Sequence, residues 1–346
     1  MVFNMNKVQN LHLSIAILVF LLPFSWQGTI AQQLTFEDVM KFSEITRPAL
    51  SPDGKWVAYG VWPERGDGEA VVMATGSDTE YQIERGERPF FNSETTHVAL
   101  FVKPAFIESE NAGKTKPEQS LAILALSDGT RQDFENVEKA EFSNDGQWLI
   151  VTHTKPKDVK DAKPKNSKTG NPVTVLRLSS GSQTKLNFVH ELSADSTSSH
   201  VAFSVVDTSG NENGLFYSFL DADSLQPRKI RGTQHSFFNN LTWDYKRERI
   251  AFTESQLDTA NKYLPADAAI KIWQAEDNEM AILVSPDDAP EGYRLRSHNR
   301  LTWSHNGSKL YYGLMDQKMV ELDEKQAEKD SLTSENLYDA ERILND

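Results

Sequence analysis

The sequence predicts an all-β fold, a β-propeller of about six blades, and three observations carry the prediction. A turn motif recurs at intervals near fifty residues, strand-like apolar runs flank each copy, and aromatics make up 10% of a chain with seven tryptophans and no cysteine. That aromatic content is too high for a disordered acidic chain, and the fold must rest on packing rather than on disulfides or thiolate-bound metal. A length of 346 residues leaves room for one large domain or two small ones. Lys and Arg total 36 against 50 Asp and Glu, and the net charge of −14 disfavours nucleic acid as a partner.

Residues 1–31 read as a signal peptide. Lys7 precedes the apolar run Leu11 to Leu22, Pro23 ends the run, and Thr29-Ile-Ala31 supplies a small-residue exit. The run is shorter than the ~20 apolar residues a spanning helix needs, so export with cleavage near Ala31 is expected, with no stable membrane span afterwards. Residues 32–48 lead into the first blade. Leu34 to Ile45, with Thr35 as N-cap and Phe36, Val39, Met40 and Phe42 on one side, has the spacing of a short amphipathic helix.

The blades occupy residues 49–322. Leu50-Ser-Pro-Asp-Gly-Lys-Trp-Val-Ala-Tyr59 is echoed by Phe142-Ser-Asn-Asp-Gly-Gln-Trp-Leu-Ile-Val151, and weaker copies begin at Phe91, Leu192, Leu241 and Leu301. The six starts are separated by 41, 51, 50, 49 and 60 residues, close to the ~40 to 50 of a four-stranded blade, with the excess free for loop insertions. Asp53-Gly54 and Asp145-Gly146 supply the positive-φ position of a tight hairpin. Trp56 to Val61 and Trp148 to Thr152 then read as inner strands, apolar on both faces, and Trp56 and Trp148 are expected to be buried equivalents.

A second strand-like run follows in each unit: Ala70 to Ala74, Leu121 to Leu126, Val173 to Leu178, Gly214 to Phe219, Ala269 to Trp273 and Lys318 to Leu322. More polar third runs include Glu80 to Ile83 and Thr184 to Phe188. Consecutive meanders of this kind build a propeller, whereas a β-sandwich has no reason to repeat one turn motif at this interval. Lys155 to Pro172, with six lysines, reads as a solvated loop inserted in the third unit, and residues 323–346 as an acidic helical or disordered tail. The last unit has no evident source for its outer strands, so an incomplete ring with unpaired edges is expected.

At these residues the sequence resembles the N-terminal propeller of exported bacterial serine peptidases of the prolyl oligopeptidase family. The resemblance lies in the WD40-like Ser-Pro-Asp-Gly blades, the opening Leu34-Thr-Phe-Glu-Asp-Val-Met-Lys-Phe42, the entry Ile45 to Gly60 and the ending Asn336 to Leu344. It implies a periplasmic or secreted propeller that covers a following α/β-hydrolase domain and limits entry to peptides or unfolded segments.

No catalytic, cofactor-binding or metal-binding residue is predicted within the chain. A hydrolase nucleophile elbow needs Gly-x-Ser-x-Gly, which does not occur; Gly76-Ser77, Gly181-Ser182 and Gly307-Ser308 fall at expected turns. The Glu-Glu pair by which aminopeptidase-like relatives hold a substrate's N-terminus is also absent. His298 and His305 have no partner carboxylate at ligand spacing, Asp287-Asp288 lacks the Gly and Glu of an EF-hand loop, and Asp53, Asp145 and Asp195 read as turn formers. Two functions from different classes fit: the non-catalytic gating portion of a peptidase whose hydrolase domain follows, or an autonomous TolB-like propeller that binds a protein partner.

Overall fold

The computed structural model describes residues 35, 42–113, 116–162, 167–220, 224–246, 249–262, 268–296 and 300–318. The signal peptide 1–31, most of the expected entry helix and the tail 323–346 lie outside these residues. The architecture is that of the compact unit Ser43–Asp346.

Every strand pairs antiparallel with its neighbour in sequence until the last unit. Blade 1 is β1 (Ser43–Leu50), β2 (Trp56–Pro63), β3 (Glu69–Ala74) and β4 (Glu80–Glu84); blade 2 is β5 (Gly86–Phe91), β6 (His97–Val102), β7 (Ser120–Ala125) and β8 (Arg131–Phe134). Blades 3 and 4 share one seven-stranded sheet: β9 (Val137–Phe142), β10 (Trp148–His153), β11 (Asn171–Arg177), β12 (Gln183–Ala194), β13 (His200–Val205), β14 (Gly214–Phe219) and β15 (Arg228–Arg231). The twelve-residue β12 joins them, pairing with β11 through Gln183–Val189 and with β13 through Val189–Ala194. Blade 5 is β16 (Ser236–Trp243), β17 (Arg249–Gln256), β18 (Ala269–Gln274) and β19 (Glu279–Val284). The sixth unit holds two-residue strands: β20 (Tyr293–Arg294) with β23 (Met315–Asp316), and β21 (Thr302–Trp303) with β22 (Leu310–Tyr311).

The repeated turn has one hydrogen-bond pattern in all six units. The backbone N–H of Ser51, Asn92, Ser143, Asp195, Asp244 and Ser304 each donates to the carbonyl five residues on. A side-chain oxygen then accepts the N–H that opens the next strand: Ser51 Oγ from Trp56, Ser143 Oγ from Trp148, Ser304 Oγ from Lys309, Asn92 Oδ1 from His97, and Asp195 Oδ1 from His200. Gly54, Gly146 and Gly307 take the positive-φ position, and in the weaker copies Thr95 and Ser198 occupy it. Asp53 and Asp145 are turn formers as expected, accepting the hydroxyls of Ser51 and Ser143.

The core lies between consecutive blades, so the sheets of the internal blades bury both faces, while blade 1 has a described neighbour on one side only. One apolar cluster joins blades 1 and 2 (Ala58, Val72, Val98, Leu100), another blades 2 and 3 (Leu121, Ile123, Leu149, Val151), and others continue through to the sixth unit. Trp243 and Trp303, one residue before the cap in their units, donate their indole N–H to the carbonyls of Ser193 in β12 and Thr242 in β16, in the first strands of the preceding blades, at 3.0 and 3.1 Å. The recurring Leu-Thr-Trp is therefore an inter-blade latch. These stacked antiparallel blades define a β-propeller. No strand pairing among the described residues joins blade 1 to blade 5 or to the sixth unit.

Three expectations are corrected. Ser43 to Ile45, expected at the end of the entry helix, belongs to β1: Pro48, which cannot donate to a ladder, sits in the bulge between Thr46 and Ala49, and the strand is anchored on β2. Trp148 is 1% exposed but Trp56 is only half-buried, stacked on Tyr81 at 6.0 Å at the margin of the cluster between blades 1 and 2. Lys318, expected to open a strand, lies in a helical turn, and residues 319–322 fall outside the described residues.

Candidate functional site: the loop face and its basic cleft

In an antiparallel meander the first-to-second and third-to-fourth turns lie at one end of the strands, and the second-to-third connection lies at the other. The turns at the first end are short. The connections at the second end are long in three blades: 103–119 in blade 2, 154–170 in blade 3 and 257–268 in blade 5. Insertions therefore collect on one face, as expected for the binding face of a repeat protein.

These loops are stitched to one another. Between blades 1 and 2, Arg65 pairs with Glu110 at 3.2 Å and Asp67 accepts the N–H of Phe106, which opens the short helix α1 (Phe106–Asn111). Between blades 2 and 3, Lys160, on helix α2 (Lys157–Ala162), pairs with Glu118 at 2.9 Å. Across blades 3, 4 and 5, fully buried Asn261 donates to Thr169 Oγ1 and to the carbonyl of Asp207, at 2.9 and 2.6 Å, and its own carbonyl accepts the N–H of Lys168. Gly170 is required beside this knot, because a Cβ there would collide with the backbone of Phe188.

Two titratable groups lie next to the knot. His190 meets the carbonyl of Lys168 at 3.1 Å and the Phe237 ring edge-on; burial pulls its pKa down to about 4, with the Lys168 and Lys155 charges adding to the effect. Adjacent Glu191 reaches into blade 5 and accepts the N–H of Leu241 at 2.9 Å, and burial pushes its carboxyl upward against the hydrogen bonds it accepts.

Between blades 2 and 3 opens a cleft of about 910 Å³, walled by their long connections and by the outer strands β8 and β12. On its wall, His153 donates from Nδ1 to the carbonyl of Glu135 (2.8 Å), which leaves Nε2 to accept the hydroxyl of Thr174 (2.9 Å). Lys116, Lys155, Lys157, Lys160 and Lys185 line the cleft with three acids, Glu118, Asp133 and Glu135. Lys155 is half-buried, and desolvation lowers its pKa while Glu138 opposes the shift and Lys160 and Lys168 add to it. Part of the lysine-rich insertion is thus cleft wall rather than solvated loop alone. The sequence reading missed this, although the surplus length of the third unit was the available signal.

Ser77, Ser182 and Ser308 lie in turns, and His305 packs on Tyr245 while His298 falls outside the described residues. Asp288 caps its own 3-10 turn by accepting the N–H of Ser285. Among the described residues no group of three His, Asp or Glu is placed to hold a metal ion.

No family model and no curated protein matches the chain. Solved structures do, at 10–15% identity. The β-propeller domain of the trilobed protease from Pyrococcus furiosus is 12% identical with a TM-score of 0.37, over 80% of this chain and 79% of that one. A structure from a study of two prolyl endopeptidases is 12% identical with a TM-score of 0.40, over 80% of this chain and 42% of that one. TolB from Acinetobacter baumannii is 11% identical with a TM-score of 0.30, over 70% of this chain and 55% of that one. The solved structures matched thus include prolyl oligopeptidase-type peptidases, TolB and a hydrazine synthase, with TM-scores of 0.30–0.40.

Proposed function

We propose that the chain is the propeller portion of an exported serine peptidase similar to prolyl oligopeptidases, controlling substrate access to a hydrolase domain and supplying no catalytic group itself. The observation that supports this reading best is the loop face, where the long connections of blades 2, 3 and 5 are tied to their neighbours by Lys160–Glu118 and by Asn261. A braced surface of that kind is suited to covering another domain or admitting a peptide. The chain has no Gly-x-Ser-x-Gly with which to present a nucleophile, so its partner in this reading is a peptide or protein substrate met through the hydrolase.

Two experiments test it. The genomic reading frame past Asp346 should contain a Gly-x-Ser-x-Gly serine; a stop codon there with no hydrolase would replace this reading with an autonomous, TolB-like binding module. The purified chain should show no stoichiometric labelling by a fluorophosphonate and no turnover of proline-containing chromogenic peptides, and specific serine labelling would overturn the non-catalytic assignment.

A further inference from the structure

We propose that the cleft between blades 2 and 3 binds an extended, carboxylate-rich peptide segment. The charge of its wall runs against that of the molecule: five lysines face three acids in a chain of net charge −14. Two of those acids are already engaged, Glu118 by Lys160 and Asp133 by Arg131, which stands outside the lining. Lys116, Lys155, Lys157 and Lys185 have no ion-pair partner within 4.0 Å among the described residues. The unsatisfied charge in the cleft is therefore positive in a chain of net negative charge, and this contrast favours an acidic ligand there.

The shape and chemistry of the wall select a peptide over a small anion. About 910 Å³ is near the upper end of ligand-sized cavities and far exceeds what one carboxylate or phosphate fills. The buried side chains of Phe134 and Leu186 and three prolines (Pro117, Pro156, Pro172) give apolar, rigid wall between the ammonium groups. Lysines on flexible stems, with no arginine fork among them, suit carboxylates spaced along a chain better than one planar anion held in register. Lys155 adds a second indication, because its half-buried ammonium is partly desolvated, with Glu138 offsetting part of that cost and Lys160 and Lys168 adding to it, and an incoming carboxylate relieves the remainder.

The test is fluorescence anisotropy of the full chain with a fluorescein-labelled octapeptide of alternating Glu and Ala, beside the same peptide with Gln for Glu. The acidic peptide should bind at low salt and release as salt rises, and the Gln peptide should not bind. The double variant Lys157→Glu/Lys185→Glu, both residues exposed, should weaken binding roughly tenfold or more, whereas Lys246→Glu/Lys309→Glu, an equal charge change outside the cleft, should not. Equal weakening by both variants, equal binding of the Gln peptide, or no binding up to ~1 mM would overturn the proposal. Citrate competing as well as unlabelled peptide at equal concentration would also overturn it, because the cleft would then be a small-anion site. The outcome does not depend on whether a hydrolase domain follows, so the cleft and the gating reading fail separately.

Discussion

Asn92 ties a turn to the next blade, and replacing it by alanine should cost ~3–5 kcal/mol of stability. Its side chain is fully buried. Oδ1 accepts the backbone N–H groups of Thr96 and His97 at 2.9 and 2.8 Å, and Nδ2 donates to Thr96 Oγ1 at 2.8 Å and to the carbonyl of Gly146, in the blade 3 turn, at 2.9 Å. Alanine leaves both N–H groups and the Gly146 carbonyl without these partners. At about 1 kcal/mol net for each of the two turn bonds, and ~1–3 kcal/mol for the carbonyl stranded between blades, the loss reaches the stated range. Asn92→Ser should recover part of it, because serine caps the same turn at Ser51, Ser143 and Ser304 but is too short to reach Gly146. Urea denaturation followed by tryptophan fluorescence measures all three proteins. A loss below ~1 kcal/mol for alanine, or full recovery by serine, which cannot reach Gly146, would refute the assignment of Asn92 as an inter-blade latch.

In the same assay Trp148→Ala should cost ~3–5 kcal/mol through cavity formation, and Trp56→Ala clearly less, because its ring keeps a face toward solvent; equal costs would contradict the difference in burial. The folded pKa of His190, about 4, lies below its free value of 6.5, so the unfolded chain binds the proton more readily. Stability present above pH 6.5 should then fall as pH drops toward 4, by up to ~3 kcal/mol, and His190→Gln should flatten that slope in urea midpoints measured across the range. Glu191 has the opposite sign: its folded pKa is raised above 4.5, so its contribution declines as pH rises through the folded value. Glu191→Gln, which keeps an oxygen to accept the Leu241 N–H, should raise stability at pH 8, and a lower urea midpoint there would count against this account. Hydrogen exchange should be fast through Leu301–Tyr311, where each strand is two residues long, and along exposed β1; uniform protection there with a monomeric mass would show that the ring closes with these blades.

The blades were legible in the sequence because their determinants are local. The turn that identifies each unit is held by bonds spanning two to five residues, from Ser51 to Asp53 and Trp56 or from Ser143 to Asp145 and Trp148, so its requirements appear as a short motif. The copies in which Thr95 and Ser198 take positive φ were weaker because polar caps, Asn92 and Asp195, hold those turns by side-chain bonds that glycine-based pattern reading does not score. The start of β1 is not legible for a related reason. Its apolar spacing is compatible with a helix, and what makes it a strand is its pairing with β2 across the turn.

The loop face depends on contacts of another kind. Asn261 meets Thr169 across 92 positions, and Lys160 meets Glu118 across 42, in insertions that share no repeat. Such pairs leave no periodic trace, and the lysines of residues 155–172 look the same whether they face water or a cleft. What the repeat does determine is where to look. In a meander every second-to-third connection emerges at the same end, so once the turn motif fixes the first end, surplus length between second and third strands must accumulate on the other. The gap between the runs Trp148 to Thr152 and Val173 to Leu178 thus points to the blade 3 insertion, and the lysines it carries give that part of the face its charge.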